Sequence, residues 1–323
     1  MFRSALFLLL LLFGTAGLSA KKGESLFDRW SHADQRAIDI YLNIDTLLAN
    51  RNTTNEMRGT VVDGGLALGV DISVRGRYRR RTCSLPPMML QFDKELLRLA
   101  GLNTHNDYKL VTPCTFDAAG QEAIVREALA YELYRTVNPA ASFRTQLLTV
   151  TYHNMADSSS FTSYGIVIED TDELKDRLDA RNCKECFNQP LATYTNAETI
   201  ALFQYMIGNA DYSTRMARNL KLMQGEDGRI TAVPYDFDFA GLVDPAYGVT
   251  VDPEQESLRD RVLVWEFDTP ANLLAAGDEF LLLEDDLLAQ VAGFEALQDD
   301  GKREVTRYLK AFFRELRHGR IGS

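Results

Sequence analysis

The chain has 323 residues, 46% hydrophobic and 25% charged, an ordinary globular composition that excludes collagen-like, coiled-coil and disordered readings. Its length permits one large domain or two lobes, because single cores tend to divide beyond about 250–300 residues. A formal net charge of −11 argues against general nucleic-acid binding, which depends on cationic contacts to phosphate.

One Arg, an apolar run over 5–13 and small residues up to Ala20 have the layout of a secretory signal over 1–20, with cleavage expected after Ala20. The run falls well short of the ~20 residues that span a bilayer, and no later segment is long and apolar enough to do so. The mature chain is therefore expected to be secreted or periplasmic, with no membrane span. In such a compartment Cys83, Cys114, Cys183 and Cys186 can form disulfides. Three pairings are possible, and Cys83–Cys114 with Cys183–Cys186 is the expected one. Cys183-x-x-Cys186 lacks the second Cys pair or nearby His that a zinc site needs.

Residues 21–57 read as an N-terminal helical segment, in which Ser31 caps a helix running to about Ala49 with Ile38, Tyr41, Leu42, Leu47 and Leu48 as its apolar positions. Residues 58–169 are strand-rich. Two strands flank Asp63-Gly64-Gly65, whose glycines supply the positive φ of a tight turn. Strands are also predicted at 88–92 and 108–112, a long helix over 121–138, and two more strands over 143–153 and 163–169. From 170 to 323 the pattern turns helical: a helix from Thr195 or Asn196 to Met206, a short hairpin over 219–239, and helices near 278–297 and 301–318. Charge is uneven here, with 15 acidic residues against two Arg over 244–300 and seven Lys and Arg against two Glu over 301–323.

The chemistry concentrates in IGNADYSTRMARNLKLMQGEDGRITAVPYDFDFAG. Asp211 and Asn219 fall in the loop after a helix, and Asp236 and Asp238 at the end of the hairpin's second strand. Residues two apart on a strand face one side, so the two carboxylates can act together. Hard oxygens with an Asn amide suit Mg²⁺ or Mn²⁺. A loop Asp, a following Asn, a hairpin and a metal-binding Asp are also the ordered parts of protein-kinase-like phosphoryl transfer. Five arginines crowd RGRYRRR, and Arg75, Arg77 and Arg79 on one strand face could meet a phosphate or an acidic acceptor. A basic edge that discourages aggregation is the plainer reading.

VDISVRGRYRRR, REALAYELY, GNADYSTRMARN and PYDFDFAG together resemble the corresponding pieces of the spore-coat protein H (CotH) kinase-like family and, more distantly, HipA-type kinases, over roughly 58–245. The resemblance implies an α+β, two-lobed protein-kinase-like fold with a strand-rich N-terminal lobe and a helical C-terminal lobe. It implies binding of ATP or another nucleoside triphosphate with Mg²⁺ or Mn²⁺, and phosphoryl transfer to a hydroxyl on a protein or small molecule. By position Asp211 is the catalytic Asp, while Asn219, Asp236 and Asp238 are metal ligands. Lys109 takes the place of the phosphate-binding strand Lys, with Glu127, or alternatively Glu122, as its ion-pair partner. Two other readings stand beside it: a non-catalytic pseudokinase binding module, and a glycosidase using Asp211 with Asp236 or Asp238. Scattered His32, His105, His153 and His318, and the absence of Gly-x-Ser-x-Gly, P-loop or Rossmann motifs, exclude the easier zinc, hydrolase and nucleotide-fold readings.

Overall fold

The computed structural model describes residues 23–32 and 36–322, so the expected signal over 1–20 lies outside the described residues. A short helix α1 (Leu26–Ser31), with a capping box between Ser25 and Asp28, precedes strand β1 (Ala37–Leu42) and helix α2 (Ile44–Ala49). There follow β2 (Glu56–Asp63), β3 (Leu66–Val74), α3 (Arg79–Thr82), β4 (Met88–Phe92), α4 (Lys94–Leu99) and β5 (Asp107–Val111). The long helix α5 (Ala118–Val137) leads to the hairpin β6 (Thr145–Asn154) and β7 (Ser160–Ile168).

The seven strands close in the order β1-β2-β3-β4-β5-β7-β6. Every pairing is antiparallel except β1 with β6, where Ala37–Leu42 runs in register with Thr149–Asn154. This mixed, closed barrel overturns the two-lobed protein-kinase-like architecture; the class is α+β, as expected. The physical reason lies in one segment. Where one helix is expected over 31–49, α1 ends at Ser31 and β1 and α2 follow, β1 being the strand that closes the sheet. Ile38, Ile40 and Leu42 point inward at period two while Asp39 and Tyr41 face out, and Asn43 starts α2 by accepting a hydrogen bond from the Thr46 N–H at 2.9 Å.

The second part of the chain contains α6 (Thr171–Leu178), β8 (Arg181–Asn182), α7 (Ala197–Ile207), β9 (Leu220–Gln224) and β10 (Ile230–Pro234), then α8 (Leu274–Leu282), α9 (Glu284–Gly293) and α10 (Asp299–Arg317). β8, β9 and β10 form a small antiparallel sheet. One apolar core fills the barrel, with Trp30 of α1 set edge-on to Tyr108 at 5.4 Å. A second core lies between the barrel wall, α5, α7, the small sheet and the C-terminal helices. α5 is buried nearly all round, so its packing is decided by neighbours on every side rather than by one apolar stripe.

Both expected disulfides form and no cysteine is free. Cys83–Cys114 ties the end of α3 to the segment after β5 across 31 residues, a loop closure worth about 3–4 kcal/mol in the chain-entropy account. Among the described residues no helix is long and apolar enough to cross a membrane.

Ile40 is fully buried inside the barrel. Ile40→Ala is expected to cost about 2–5 kcal/mol in urea unfolding, the range for truncating a core aliphatic residue, whereas the outward Asp39→Ala should cost less than about 1 kcal/mol. Equal costs at the two positions would contradict the strand.

Candidate functional site

The residues read as functional converge in part on a cavity of about 730 Å³ at the end of the barrel, where the chain leaves β3 and meets the loops of α7 and β10. Arg75, Arg77 and Arg81, from the segment after β3, line it together with Asp211, Arg218 and Asn219 from the segment after α7 and Asp236 and Asp238 from the segment after β10.

The arginine segment is not the strand face expected. β3 stops at Val74, Gly76 takes φ +82, and Arg79 begins a helical turn. Gly76 tolerates that left-handed backbone without the penalty a Cβ would bring. The alternation of Arg75, Arg77 and Arg79 therefore fails. Arg79 turns inward, where its guanidinium donates to Glu127 Oε2 at 3.1 Å and to the Thr112 carbonyl, and lies 3.9 Å from Asp238 Oδ2. Among the described residues the side chains of Arg75, Arg77 and Arg81 make no hydrogen bond or ion pair, whereas Arg80 is tied to the Val74 carbonyl at 2.8 Å.

The acidic residues rest on two loops. α7 ends at Gly208, φ +69, where any side chain would collide with the Tyr308 hydroxyl. Asn209 then accepts from the Asp211 N–H at 3.0 Å, and Ser213 and Arg218 exchange backbone hydrogen bonds that close the loop. Glu266 holds this loop from outside, accepting from Ser213 Oγ at 2.8 Å, Thr214 Oγ1 at 2.9 Å and the Arg215 N–H at 3.0 Å. Asp211 keeps one oxygen 3.2 Å from Arg218 Nε and accepts at the other from Asn219 Nδ2 at 3.1 Å. Burial pushes its carboxyl up, opposed by Arg218 and reinforced by Asp236.

Asp236 and Asp238 stand just beyond β10 rather than on it. The Asp236 N–H donates to the Tyr131 hydroxyl at 2.8 Å, and neither carboxylate oxygen of Asp236 has a hydrogen-bond or ion-pair partner among the described residues. Asp238 is buried, accepts from Tyr247 at 3.3 Å, and is pushed well above the usual carboxylate range, first by burial and then by Asp236. Asn219 and Asp236 both adopt left-handed φ, at 53° and 66°. Such backbone costs energy in non-glycine residues and tends to gather at functional sites.

Lys109 and Glu127 do not pair as expected. Glu127 belongs to Arg79, and burial, opposed by that guanidinium, pushes its carboxyl up to about 7. Glu122, the alternative, pairs with Arg126 at 2.6 Å. Lys109 lies outside the cavity lining: its Nζ donates to Thr171 Oγ1 at 3.1 Å and sits 5.1 Å from the Phe143 ring centroid. Sequence reasoning puts Arg79 on the anion-facing side rather than as a buried anchor, takes Arg81 only as part of the basic cluster, and passes over Tyr247 and Glu266. RGRYRRR carried the signal for the two arginines, but nothing local marks Tyr247 or Glu266 among the acidic loops.

Among the described residues no three His, Cys, Asp or Glu side chains gather closely enough to hold a metal ion by themselves. Mg²⁺ is commonly held by one or two carboxylates with the rest of its shell from water and substrate phosphates. A partnerless Asp236 beside an Asp238 whose charge is disfavoured by that neighbour fits this ligand set. Comparison with protein-family models finds no match, and none of the curated proteins matches the chain.

The Lys109 ammonium is held down to about 7, first by burial and then by the cations Arg75 and Lys221. An unfolded lysine titrates near ~10.4. Between about pH 7 and 10 the unfolded chain thus binds the extra proton, so this residue makes stability rise with pH. Lys109→Met should be more stable than the wild type at pH 7, with the difference shrinking toward pH 10 in urea unfolding; a pH-independent difference would contradict it.

Proposed function

We propose that this cavity binds a nucleoside triphosphate, such as ATP, together with Mg²⁺ or Mn²⁺, and transfers a phosphoryl group to a hydroxyl acceptor. The observation that carries this reading is that Arg75, Arg77 and Arg81, with no ion-pair partner among the described residues, line the same cavity of about 730 Å³ as Asp236 and Asp238. A triphosphate with its cation needs both signs of charge at once. A sugar ring at paired carboxylates would not call for Arg75, Arg77 and Arg81, so the arginines weigh against the glycosidase reading. The likeness of GNADYSTRMARN and PYDFDFAG to the catalytic and metal-binding loops of the CotH family points the same way.

In this reading Arg75, Arg77 and Arg81 hold the phosphate oxygens by charge-assisted hydrogen bonds. Asp236 and Asp238 hold the divalent cation, which when bound offsets phosphate charge. Asn219 fixes the Asp211 carboxylate through its amide. Lys109, expected as the phosphate-binding lysine, lies outside the cavity lining and takes no phosphate contact in this reading. Asp211 aligns the acceptor hydroxyl and takes its proton as the acceptor oxygen bonds to the γ-phosphorus and the bond to the β-phosphate oxygen breaks, leaving a phosphoester and a nucleoside diphosphate. Arg218, 44% exposed and lining the cavity, is free to follow an incoming phosphate and so release one Asp211 oxygen. The two disulfides accord with an exported, secreted or periplasmic chain.

Calorimetric titration with ATP and Mn²⁺, run beside a radiolabel transfer assay, tests these roles. Asp236→Ala is expected to abolish cation-dependent binding, and Arg75→Ala to weaken it about tenfold to a hundredfold, the worth of one hydrogen bond to a charged group. Asp211→Ala should leave binding nearly unchanged and stop transfer, because it acts on the attacking hydroxyl. Absence of nucleotide binding to the wild type with either cation would refute the proposal. Binding without transfer would favour a non-catalytic binding module.

A further inference from the structure

A second basic surface lies on α10, built from residues that take no part in the site above. Arg303, Arg307, Lys310, Arg314 and Arg317 follow one another at alternating intervals of four and three residues, which places them on one face of the 19-residue helix. All five are exposed, while the opposite face sends Val305, Leu309, Phe312 and Phe313 into the second core. The stripe borders a groove of about 740 Å³, whose lining also reaches Glu284 of α9. Arg303 pairs with Asp300 and Arg317 with Glu284, so the ends of the stripe are anchored. Among the described residues the side chains of Arg307, Lys310 and Arg314 have no hydrogen bond or ion pair. Three unpaired cations in a row are notable in a chain of net charge −11, where acidic partners are plentiful.

We infer that this groove binds a linear acidic polysaccharide, a chain bearing one carboxylate or sulfate on each sugar. Three observations select that class. First, a rise of 1.5 Å per residue spaces the cations about 5 Å apart over about 21 Å, comparable to the advance of one pyranose unit in an extended chain. An extended acidic peptide advances about 3.3 Å per residue, and one strand of duplex DNA about 3.4 Å per phosphate. Second, an elongated groove suits a single flexible chain. Third, α10 contributes none of the exposed large apolar side chains, and a helix lying on a membrane must insert an apolar face; here that face is already buried in the core.

The test uses the mature chain and oligogalacturonate of defined length, with its fully methyl-esterified form as the uncharged control. Anionic phosphatidylglycerol vesicles and single-stranded DNA form two further arms. Binding to the oligogalacturonate, but not to the ester, is expected to weaken as salt rises. The triple variant Arg307→Ala/Lys310→Ala/Arg314→Ala should bind at least tenfold more weakly. All three positions are exposed, so its circular dichroism and urea midpoint should match the wild type. No binding to the oligogalacturonate, or undiminished binding by a folded triple variant, would overturn the inference. So would tighter binding to vesicles or DNA that the triple variant loses, which would reassign the surface to that partner. If the variant unfolds, Lys310→Glu alone replaces it under the same criterion.

Discussion

The buried contact between Arg79 and Glu127 joins the rim of the barrel to the second core. Glu127 comes from α5 in the second core, Arg79 from the turn that follows β3 at the rim of the barrel, and their 3.1 Å hydrogen bond is sealed from water. Breaking such a pair by removing one partner leaves a buried charge uncompensated and typically costs about 3–5 kcal/mol. That cost keeps the arginine-rich turn against the core instead of free in solvent. The Cys83–Cys114 bridge holds the far end of the same turn. With both ends fixed, the backbone that carries Arg75, Arg77 and Arg81 is tied to the barrel rim, while their side chains have no ion-pair partner among the described residues.

The same guanidinium also shapes the acidic part of the cavity. It lies 3.9 Å from Asp238 and near the Tyr247 ring, so it partly offsets a buried carboxylate that Asp236 makes costlier to ionise. One buried cation therefore serves Glu127 and Asp238 together, and Asp236 is left with no partner of its own. Left-handed backbone at Asn219 and Asp236 adds local cost at the same place. Arg77 and Arg81 are exposed and Arg75 and Asp236 half-buried, so water can solvate all four charges at the cavity.

Surface charge is arranged by a different logic. The acidic residues over 244–300 are largely solvated or engaged at loop caps, as Glu266 is, whereas the basic residues of α10 are sorted onto one face because the other face is needed for packing. Amphipathicity alone separates charged from apolar residues. It does not explain why Arg303, Arg307, Lys310, Arg314 and Arg317 share one face while the exposed acidic residues of the helix, Asp299 and Asp300, are confined to its first turn.

By itself the sequence determined the elements whose signals are local. The hairpin at Gly64-Gly65, the long helix after Asp117, the β6–β7 pair, the helix ending at Gly208 and both disulfides are legible from turn residues, caps, periodicity and Cys spacing. So is the grouping of Asp211, Asn219, Asp236 and Asp238, since carboxylates and an amide crowded into two loops have few structural uses. Tertiary structure alone decided the rest. Over 37–42 the apolar spacing fits a helix and a strand equally, and only parallel pairing with β6, more than a hundred residues away, makes it a strand and closes the barrel. Likewise Glu127 is expected to pair with Lys109, and its pairing with Arg79 instead follows from which cation the fold buries beside it. Long-range pairing and burial set both outcomes, and the local pattern names neither the partner strand nor the buried neighbour.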